Sequence, residues 1–315
     1  MDLRQLTILL AVAEHGSFSA AARSLHTVQS NVSTHVARLE QEVNAVLIDR
    51  RSMKPTAEGK AVIERAQRIR TELNSIDNDM QSMREEVRGT VRIGCIGTIA
   101  RWIAIPLLDR LDTRYPSLHP VLIDSATTSL QQLLRSGDLD LAILDGPILD
   151  RDFESEPLFD EELVVLSKSN HPLAASNTVT PEALAAHELV LTPKGTTFRD
   201  ALDAELAING IKLRQKAEVE GLRLLATLAY QGYAPALVPA SAASGFPPGD
   251  WAIIHIEGMS RRSVLLTRDR RITPSLPVQA THTEILNTAR EIGPNQPGIH
   301  LTLPPPMTVP ATTPQ

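Results

Sequence analysis

Apolar residues in the first part of the chain recur at steps of three and four, the spacing that brings them to one face of a helix. The first such run predicts a helix over residues 3–14, which ends at Gly16. Its apolar stripe is formed by Leu3, Leu6, Leu9, Leu10 and either Val12 or Ala13. Two further runs follow before residue 43, so this segment is predicted to be a cluster of short helices.

The second and third runs have the pattern of a helix-turn-helix. Ser17 is placed to cap a short second helix that runs to about Leu25. The small side chains of Ala20–Ala22 allow two helices to cross closely, although an alanine run also has a high intrinsic helix propensity. The inward stripe of the third run consists of Val32, Val36, Leu39 and Val43.

The third helix is predicted to begin at Val28 or Gln29 and to run to Glu42. Its outward face holds hydroxyl and amide side chains and an arginine, with few of the Glu and Lys residues of an ordinary solvated face. Such groups near a helix start can meet base edges or phosphates in the major groove of DNA. A solvated face without a ligand is the alternative. The candidate DNA contacts on the second and third helices are Ser17, Gln29, Ser30, Asn31, Ser33, Thr34, His35 and Arg38.

The stretch over residues 47–56 interrupts the helical pattern and predicts a small hairpin, or wing. Arg50, Arg51 and Lys54 would lie along a DNA backbone there, because phosphates attract basic side chains. Arg50 could instead pair within the protein, with Asp49 or Glu40.

These residues resemble the LysR-type transcriptional regulator family. The matching blocks stand in the family's order: Phe18-Ser-Ala-Ala-Ala22, Leu25, Gln29-Ser-Asn-Val-Ser33, Leu39-Glu40, Arg50 and Thr56-Ala-Glu-Gly59. The resemblance implies a winged helix-turn-helix that binds double-stranded DNA. It also implies a small-molecule effector and RNA polymerase as partners.

Three positions depart from the family pattern. The glycine that commonly follows the third helix is Asn44, which also tolerates the left-handed backbone of a helix end. The Ser or Thr expected before Gln29 is Val28, which leaves Thr27 as a substitute cap. The aromatic residue usual before the wing arginine is Ile48.

From Thr56 a long helix is predicted to about Val87. Its apolar residues step by four and three without interruption, the heptad spacing of a coiled-coil seam. Such a helix needs a partner, and an identical one gives a symmetric dimer. In the resembled family the linker helix has this role, so a homodimer or homotetramer is expected. The seam contains Ala66 and Val87 and the predicted dimer contacts Val62, Ile69, Leu73, Ile76, Met80 and Met83.

Beyond Gly89, short apolar segments alternate with helical patterns, which predicts an α/β fold with parallel strands and helices on both faces. The predicted strands lie near residues 90–97, 120–124, 139–144, 163–166, 187–191, 216–220, 235–239, 251–256 and 263–267. They form two units that resemble the family's effector domain, two α/β subdomains of the periplasmic-binding-protein type.

Four regions are therefore predicted. They are a winged helix-turn-helix domain (1–58), a dimerising linker helix (59–88), an effector-binding domain (89–292) and a tail (293–315). The tail is rich in Pro and Thr and almost without charge, which predicts disorder.

The balance of basic and acidic residues also differs between the predicted regions. Residues 1–70 hold ten Lys and Arg against seven Asp and Glu, whereas residues 89–315 hold nineteen against twenty-five. The net charge of −6 therefore conceals a basic N-terminal part, and a local basic surface is what phosphates respond to. The N-terminus lacks a secretory signal pattern and the chain has one cysteine, which together predict a cytoplasmic protein.

Ligands of open α/β sheets bind at the carboxyl ends of strands, where helix N-termini supply free N–H groups. The predicted effector contacts at such positions are Cys95, Thr98, Ser125, Thr128 and Thr196. Each hydroxyl could instead cap a helix without touching a ligand. Arg101 or Arg199 could neutralise an anionic effector or could form a salt bridge.

The sequence has no metal-binding or phosphate-loop motif and no nucleophile elbow, so no metal, cofactor or catalysis is predicted. Cys95 lacks a resolving cysteine, which favours a small buried or cleft-lining residue over a redox sensor. The predicted function is an effector-controlled transcriptional regulator. The alternative is a small-molecule binding protein without direct gene regulation.

Overall fold

The computed structural model describes residues 1–82, 87–243 and 247–303. Its first four helices are α1 (Leu3–His15), α2 (Phe18–Ser24), α3 (Gln29–Glu42) and α4 (Ala57–Ser82). A capping box between Asp2 and Gln5 starts α1, and Gly16 ends it with left-handed backbone (φ 63°). Asn44 also has left-handed backbone (φ 51°), as predicted. The wing is reduced to one bridge between Ile48 and Pro55.

The core of this N-terminal domain extends into the start of α4. Ala66 is only 2% exposed and belongs to the same cluster as the inward side chains of α1 and α3, and Val62 packs against that cluster. Val62, predicted as a dimer contact, is half-buried because it packs against its own domain, and its contact with a second copy stays a prediction. Leu3, predicted in the stripe of α1, is 51% exposed.

The C-terminal part consists of strands and helices in alternation. The strands are β1 (Gly89–Cys95), β2 (Leu118–Asp124), β3 (Leu141–Asp145), β4 (Phe153–Glu161), β5 (Leu163–Lys168), β6 (Thr178–Val179), β7 (Glu188–Leu191), β8 (Arg214–Glu218), β9 (Ala236–Pro239), β10 (Trp251–Ile256), β11 (Arg262–Asp269) and β12 (Ile299–Leu301). The helices are α5 (Gly97–Arg114), α6 (Thr127–Ser136), α7 (Pro181–Ala185), α8 (Thr197–Ile208), α9 (Leu222–Gln231), α10 (Ala240–Ala243) and α11 (Leu276–Ile292). Short 3₁₀ helices cover Pro172–Ala175 and Gly293–Asn295.

Two six-stranded sheets form from these described strands, in the orders β12-β4-β11-β3-β1-β2 and β6-β10-β5-β9-β7-β8. The chain passes from the first sheet to the second after β4 and returns after β10. The sheets are mixed and not wholly parallel: β1 is parallel to β2 and β3, whereas β11 runs antiparallel to β3 and β4. After the return, β11 runs antiparallel to β3, and the alternation of strand and helix patterns in the sequence did not predict this direction.

The prediction of a disordered tail from Gly293 is wrong for its first part. Ile299 is buried, and residues 299–301 pair with β4 as an edge strand. Residues 304–315 lie outside the described residues, as does Met83 of the predicted seam.

The linker helix α4 is fixed to the first subdomain. Arg70 pairs with Asp138 at 2.9 Å, and the Thr71 hydroxyl donates to the carbonyl of Gly137 at 3.2 Å. Gly137 has left-handed backbone (φ 74°), and a Cβ there would lie 2.2 Å from Thr71 Oγ1. Glycine is therefore required at this turn, both for its backbone and for the close approach of α4.

Candidate functional site

The outward face of α3 is polar and lies opposite three fully buried side chains, Val32, Val36 and Leu39. Of the predicted contacts, Gln29, Ser30, Thr34 and Arg38 are exposed, and Asn31, Ser33 and His35 are half-buried at the edges of the face. The structure therefore brings the predicted set on α3 to one surface.

The start of α3 differs from the prediction. Val28 is the N-cap residue, with extended backbone (φ −94°, ψ 149°), and within the described chain no side chain bonds the first turn as a cap. Thr27 does not substitute, because its hydroxyl instead accepts from Asn31 Nδ2 at 3.0 Å. Ser17 does cap α2 as predicted, accepting from the backbone N–H of Ala20 at 3.0 Å.

Glu40 at the end of α3 organises the wing. One carboxylate oxygen accepts from the backbone N–H groups of Leu47 and Ile48, at 2.9 and 3.2 Å. The other accepts from Arg50 at 2.7 Å, and the guanidinium lies over the Phe18 ring, 4.5 Å from its centroid. The alternative interpretation of Arg50, internal pairing with Glu40, is therefore confirmed, although 43% of its side chain remains exposed.

Asp49 shapes the tip of the wing. Its carboxylate accepts from the backbone N–H of Arg51 at 2.8 Å and from the Ser52 hydroxyl at 2.9 Å. These two hydrogen bonds hold the pKa of Asp49 below its ordinary value. The turn leaves Arg51 and Lys54 exposed, so two basic side chains lie at the tip.

A second polar region lies where the two α/β subdomains meet. Asp124 at the end of β2 pairs with Arg223 on α9 at 2.7 Å, which joins the first subdomain to the second. The N-terminus of α5 lies against this pair, since a Cβ on Gly97 would be 2.6 Å from Asp124 Oδ1 and 3.1 Å from Arg223 Nε. Glycine at 97 is what allows the ion pair to approach the helix N-terminus.

Among the described residues of the effector domain, several polar side chains are buried without a hydrogen-bond partner. Thr98 and Trp102 are four residues apart on α5 and so share a face, and α5 packs against α10, which carries Ser241. In the part of the chain that the structure describes, Thr98 Oγ1, Trp102 Nε1 and Ser241 Oγ have no hydrogen-bond partner, and neither has Thr192 Oγ1 after β7. Buried polar groups are normally hydrogen-bonded, so each of these atoms is a candidate for contact with a polar ligand.

Cys95 is not an effector contact in this structure. Its side chain is fully buried in the core of the first subdomain, and Sγ donates to the carbonyl of Ile96 at 3.6 Å. Burial, and to a lesser extent the charge of Asp124, raises the pKa of the thiol. A buried neutral thiol is chemically inert, which agrees with the predicted small buried residue.

Arg199 and Thr196 have structural contacts. Arg199 is 2% exposed and donates to Asp203, Gln215 and the carbonyl of Thr192 at 2.8 to 3.2 Å. Thr196 caps α8 by accepting from the backbone N–H of Arg199 at 3.4 Å, its predicted alternative role.

Ser125 and Thr128, two further predicted effector contacts, follow the end of β2. Ser125 follows Asp124 directly and is half-buried, with its N–H donating to the carbonyl of Cys95 at 3.4 Å. Thr128 is exposed in the first turn of α6, and Arg101 is exposed on α5. Thr98 and Ser125 thus lie at the ends of two neighbouring parallel strands, whereas Thr196 belongs to the other subdomain.

Both parts of the chain match known families. Residues 3–60 match the bacterial regulatory helix-turn-helix protein of the lysR family, and residues 84–290 match the LysR substrate binding domain. The second match covers more than half of the chain. This protein belongs to the LysR family of transcriptional regulators. It is a DNA-binding regulator with an effector-binding domain.

Curated relatives of this LysR-type regulator are also named as regulators of transcription or gene activators. It is 29% identical over 282 residues to an uncharacterized HTH-type transcriptional regulator, YfeR, of Shigella flexneri, covering 89% of this chain and 91% of that one. It is 31% identical over 202 residues to a hydrogen peroxide-inducible genes activator of Pectobacterium carotovorum subsp. carotovorum, covering 64% and 67%.

Solved structures share the fold. A full-length OxyR variant from Pseudomonas aeruginosa superposes with a TM-score of 0.74 at 23% identity, over 92% of this chain and 95% of that one. CbnR in complex with its target DNA superposes with a TM-score of 0.65 at 25% identity, over 92% and 100%.

The sequence did not point to four polar residues of the effector domain, namely Asp124, Trp102, Arg223 and Ser241. Arg223 could have been found, because Gly221 and Leu222 place it at a helix start after β8, a position of the kind used for the predicted set. Among the described residues, no group of three or more His, Cys, Asp or Glu is arranged to hold a metal ion. No helix in the described ranges is both long and apolar enough to cross a membrane.

Proposed function

We propose that α3 and the wing of this regulator dock on duplex DNA, with α3 in the major groove and the wing along the backbone. The exposed polar face of α3 carries this proposal, because its amide and hydroxyl side chains are accessible to base edges while the opposite face is fully buried. The 25% identity to CbnR, whose structure was solved with its target DNA, supports it.

The proposed contacts divide by chemistry. Gln29, Ser30 and Thr34 present amide and hydroxyl groups to base edges, together with Asn31, Ser33 and His35 at the edges of the face. Arg38, Arg51 and Lys54 contact phosphates, and Ser17 adds a backbone contact at the start of α2. Arg50 contributes less than a free arginine would, because Glu40 holds it within the protein.

Arg38→Ala tests this docking. We expect the variant to bind a duplex selected from a random library by the full-length protein about tenfold more weakly, with the salt slope of the dissociation constant reduced by about one. Fluorescence anisotropy at several salt concentrations measures both. Arg214→Ala is the matched control, since Arg214 is an exposed arginine in the second subdomain, 60% exposed, that pairs with Glu188. Equal affinity and slope in all three proteins would remove the docking model.

We further propose that a small anionic effector rich in hydrogen-bond acceptors binds between the subdomains. Thr98, Trp102, Thr192 and Ser241 offer buried donors without partners, and Arg223 offers a cation at the edge of the same contact. A ligand carboxylate would compete with Asp124 for Arg223 beside the N-terminus of α5, where anions are favoured. Ser125 and Thr128 lie at the same strand ends and complete the proposed site.

Thr98→Val separates a binding hydroxyl from a structural one. Because Thr98 Oγ1 is buried without a partner, its removal should raise the free energy of unfolding of the ligand-free protein by about 1 kcal/mol. It should also reduce any thermal stabilisation given by short mono- and dicarboxylates, with the corresponding amides as neutral probes. Thr267→Val is the control, because the equally buried Thr267 hydroxyl bonds Ser155 at 3.0 Å and its loss should destabilise the protein.

Two results would contradict the effector proposal. One is a wild-type melting temperature that none of the carboxylates raises above its amide control. The other is a Thr98→Val protein that is stabilised by carboxylates as strongly as the wild type.

The proposed assembly is a homodimer, or a homotetramer built from such dimers, formed through α4. Ile69, Leu73, Ile76 and Met80 are 39 to 56% exposed along one helix, although each is apolar. A second copy of α4 would cover them in a coiled-coil seam. We also propose a cytoplasmic location and contact with RNA polymerase, which family membership supports.

A further inference from the structure

Val28 is an apolar side chain at the tip of the proposed reading surface. It is 65% exposed, and of the large apolar side chains over residues 17–43, all of which the structure describes, it alone is exposed. Its neighbours in sequence, Thr27 and Gln29, are polar. An isolated exposed valine is ordinary on a protein surface, and what distinguishes Val28 is its position at the start of α3.

Val28 stabilises the start of α3 less than a capping residue would. It occupies the N-cap of α3, where a Ser, Thr, Asn or Asp side chain would bond a free N–H of the first turn and stabilise the helix. Valine gives no such bond, and Thr27 is engaged with Asn31. Val28 therefore neither caps α3 nor packs into the core. Its extended backbone and stiff β-branched side chain hold two methyl groups in front of the helix start.

The side-chain amide of Gln29, next to Val28, indicates which base can be contacted there. The Ser19 hydroxyl donates to Gln29 Oε1 at 3.3 Å, which leaves the N–H groups of the Gln29 amide as donors at the same helix start. Thymine presents a hydrogen-bond acceptor, O4, beside its C5 methyl group in the major groove, and apolar side chains contact that methyl. A donor next to two methyl groups matches this edge.

We propose that Val28 is a specificity-determining residue that packs against the C5 methyl of a thymine in each half-site. The inference rests on the proposed docking of α3 in the major groove. It goes beyond that docking by assigning one base and one chemical group to one side chain.

Replacement of thymine by deoxyuridine removes only the methyl group and is the direct test. The duplex selected by the full-length protein is resynthesised with each thymine replaced in turn, and dissociation constants are measured by anisotropy at one salt concentration. For the wild type we expect one thymine of each half-site at which the replacement weakens binding about fourfold, as loss of one buried methyl implies.

Val28→Ala should abolish that sensitivity while leaving the rest of the deoxyuridine profile unchanged. Alanine caps a helix no better than valine, so the start of α3 is equally stable in both proteins. Val46→Ala is the matched control, since Val46 is a valine 59% exposed in the same domain but outside α3. It should keep the wild-type response at the thymine assigned to Val28.

The outcomes separate the inference from the docking proposal. A duplex that binds tightly but is insensitive to deoxyuridine at every thymine overturns the role of Val28 alone. A sensitivity that survives in Val28→Ala overturns it too, because another side chain would then read the methyl. If the selection retains no duplex, both the docking and the inference fall.

Discussion

At the scale of single residues, burial decides the role of side chains whose type alone permits two. Cys95, Thr196 and Arg199 all lie at strand ends or helix starts, where ligands bind in α/β folds. In the structure Cys95 is a core side chain, Thr196 caps α8, and Arg199 is a buried cation held by carboxylate, amide and carbonyl oxygens. Thr98 differs because its hydroxyl is buried without a partner in the described chain.

The Cys95 thiol is predicted to be unreactive in the folded protein. Its burial disfavours the thiolate, which is the reactive species, so modification requires local opening. Labelling by a disulfide reagent under native conditions should be at least about a hundredfold slower than in the unfolded chain, the factor for an opening free energy of ~3 kcal/mol. Absorbance at neutral pH measures the two rates.

Hydrogen peroxide provides a second test of the same prediction. DNA binding by the wild type and by Cys95→Ala should respond equally to hydrogen peroxide, whatever the size of the response. Rapid native labelling would show that the thiol is accessible, in contrast to the structure. A peroxide effect that the variant loses would show that Cys95 is a sensor.

The role of a residue can be predicted from the sequence when its partners lie within a few positions of it in the chain. The cap of α2 by Ser17 depends on residues three positions apart and was predicted. The Asp124–Arg223 pair joins residues on different subdomains, and no local pattern reveals it. The same holds for the lack of a partner at Thr98, because its burial depends on packing between elements that are distant in the sequence.

At the scale of elements, an ion pair across two helices joins the start and the end of the effector domain. Glu284 on α11 is fully buried and accepts from Arg110 and Arg114 of α5, at 3.0 and 2.6 Å. Burial alone would raise the pKa of Glu284, but the hydrogen bonds from Arg114 and Arg110 hold it below its ordinary value. The carboxylate form is therefore the one that holds the two helices together.

Glu284→Gln should lower the free energy of unfolding by about 1 to 2 kcal/mol at pH 7, a modest cost because both arginines remain partly exposed to water. Since the folded pKa is depressed, this stability is present above about pH 4.5 and is lost as the pH falls through the folded pKa. The difference between the two proteins should therefore shrink in acid. Urea unfolding at a series of pH values measures it.

Glu291→Gln provides the control for this prediction. Glu291 also bonds Arg110 but is 65% exposed, so its replacement should change the free energy of unfolding by less than about 0.5 kcal/mol. A difference for Glu284→Gln that stays constant or grows towards low pH would show that the carboxylate is not the stabilising form.

Elements with strong periodicity were predicted within a few residues, because helix and strand spacing is a local signal. The helices α1 and α3 are examples. Strand β4 was missed, since Glu, Ser, Pro and Asp interrupt its apolar positions and a register shift interrupts its pairing with β11. Strand β12 was missed because the tail composition concealed the buried Ile299. The seam of α4 was predicted as one surface, but its first turns belong to the N-terminal domain.

At the scale of the whole molecule, α4 connects the DNA-binding domain to the effector domain and is fixed to both. The N-terminal core reaches it at Ala66, and the first subdomain reaches it at Thr71 and Arg70. Its exposed apolar residues begin at Ile69, between these contacts, and continue to Met80. A second copy joined there would present two α3 helices to one duplex. Sequence predicted this architecture through its repeats and its family resemblance, but it did not predict which turns of α4 stay exposed.

The most direct test of this account is a hydroxyl-radical footprint on the selected duplex. Wild-type protein should protect two segments separated by about one helical turn of DNA or a whole number of turns. Ile69→Glu combined with Leu73→Glu should give monomers in sedimentation, because charged residues would occupy the seam. It should also reduce the footprint to one weak segment. A variant that remains dimeric and protects both segments as the wild type does would contradict pairing through α4.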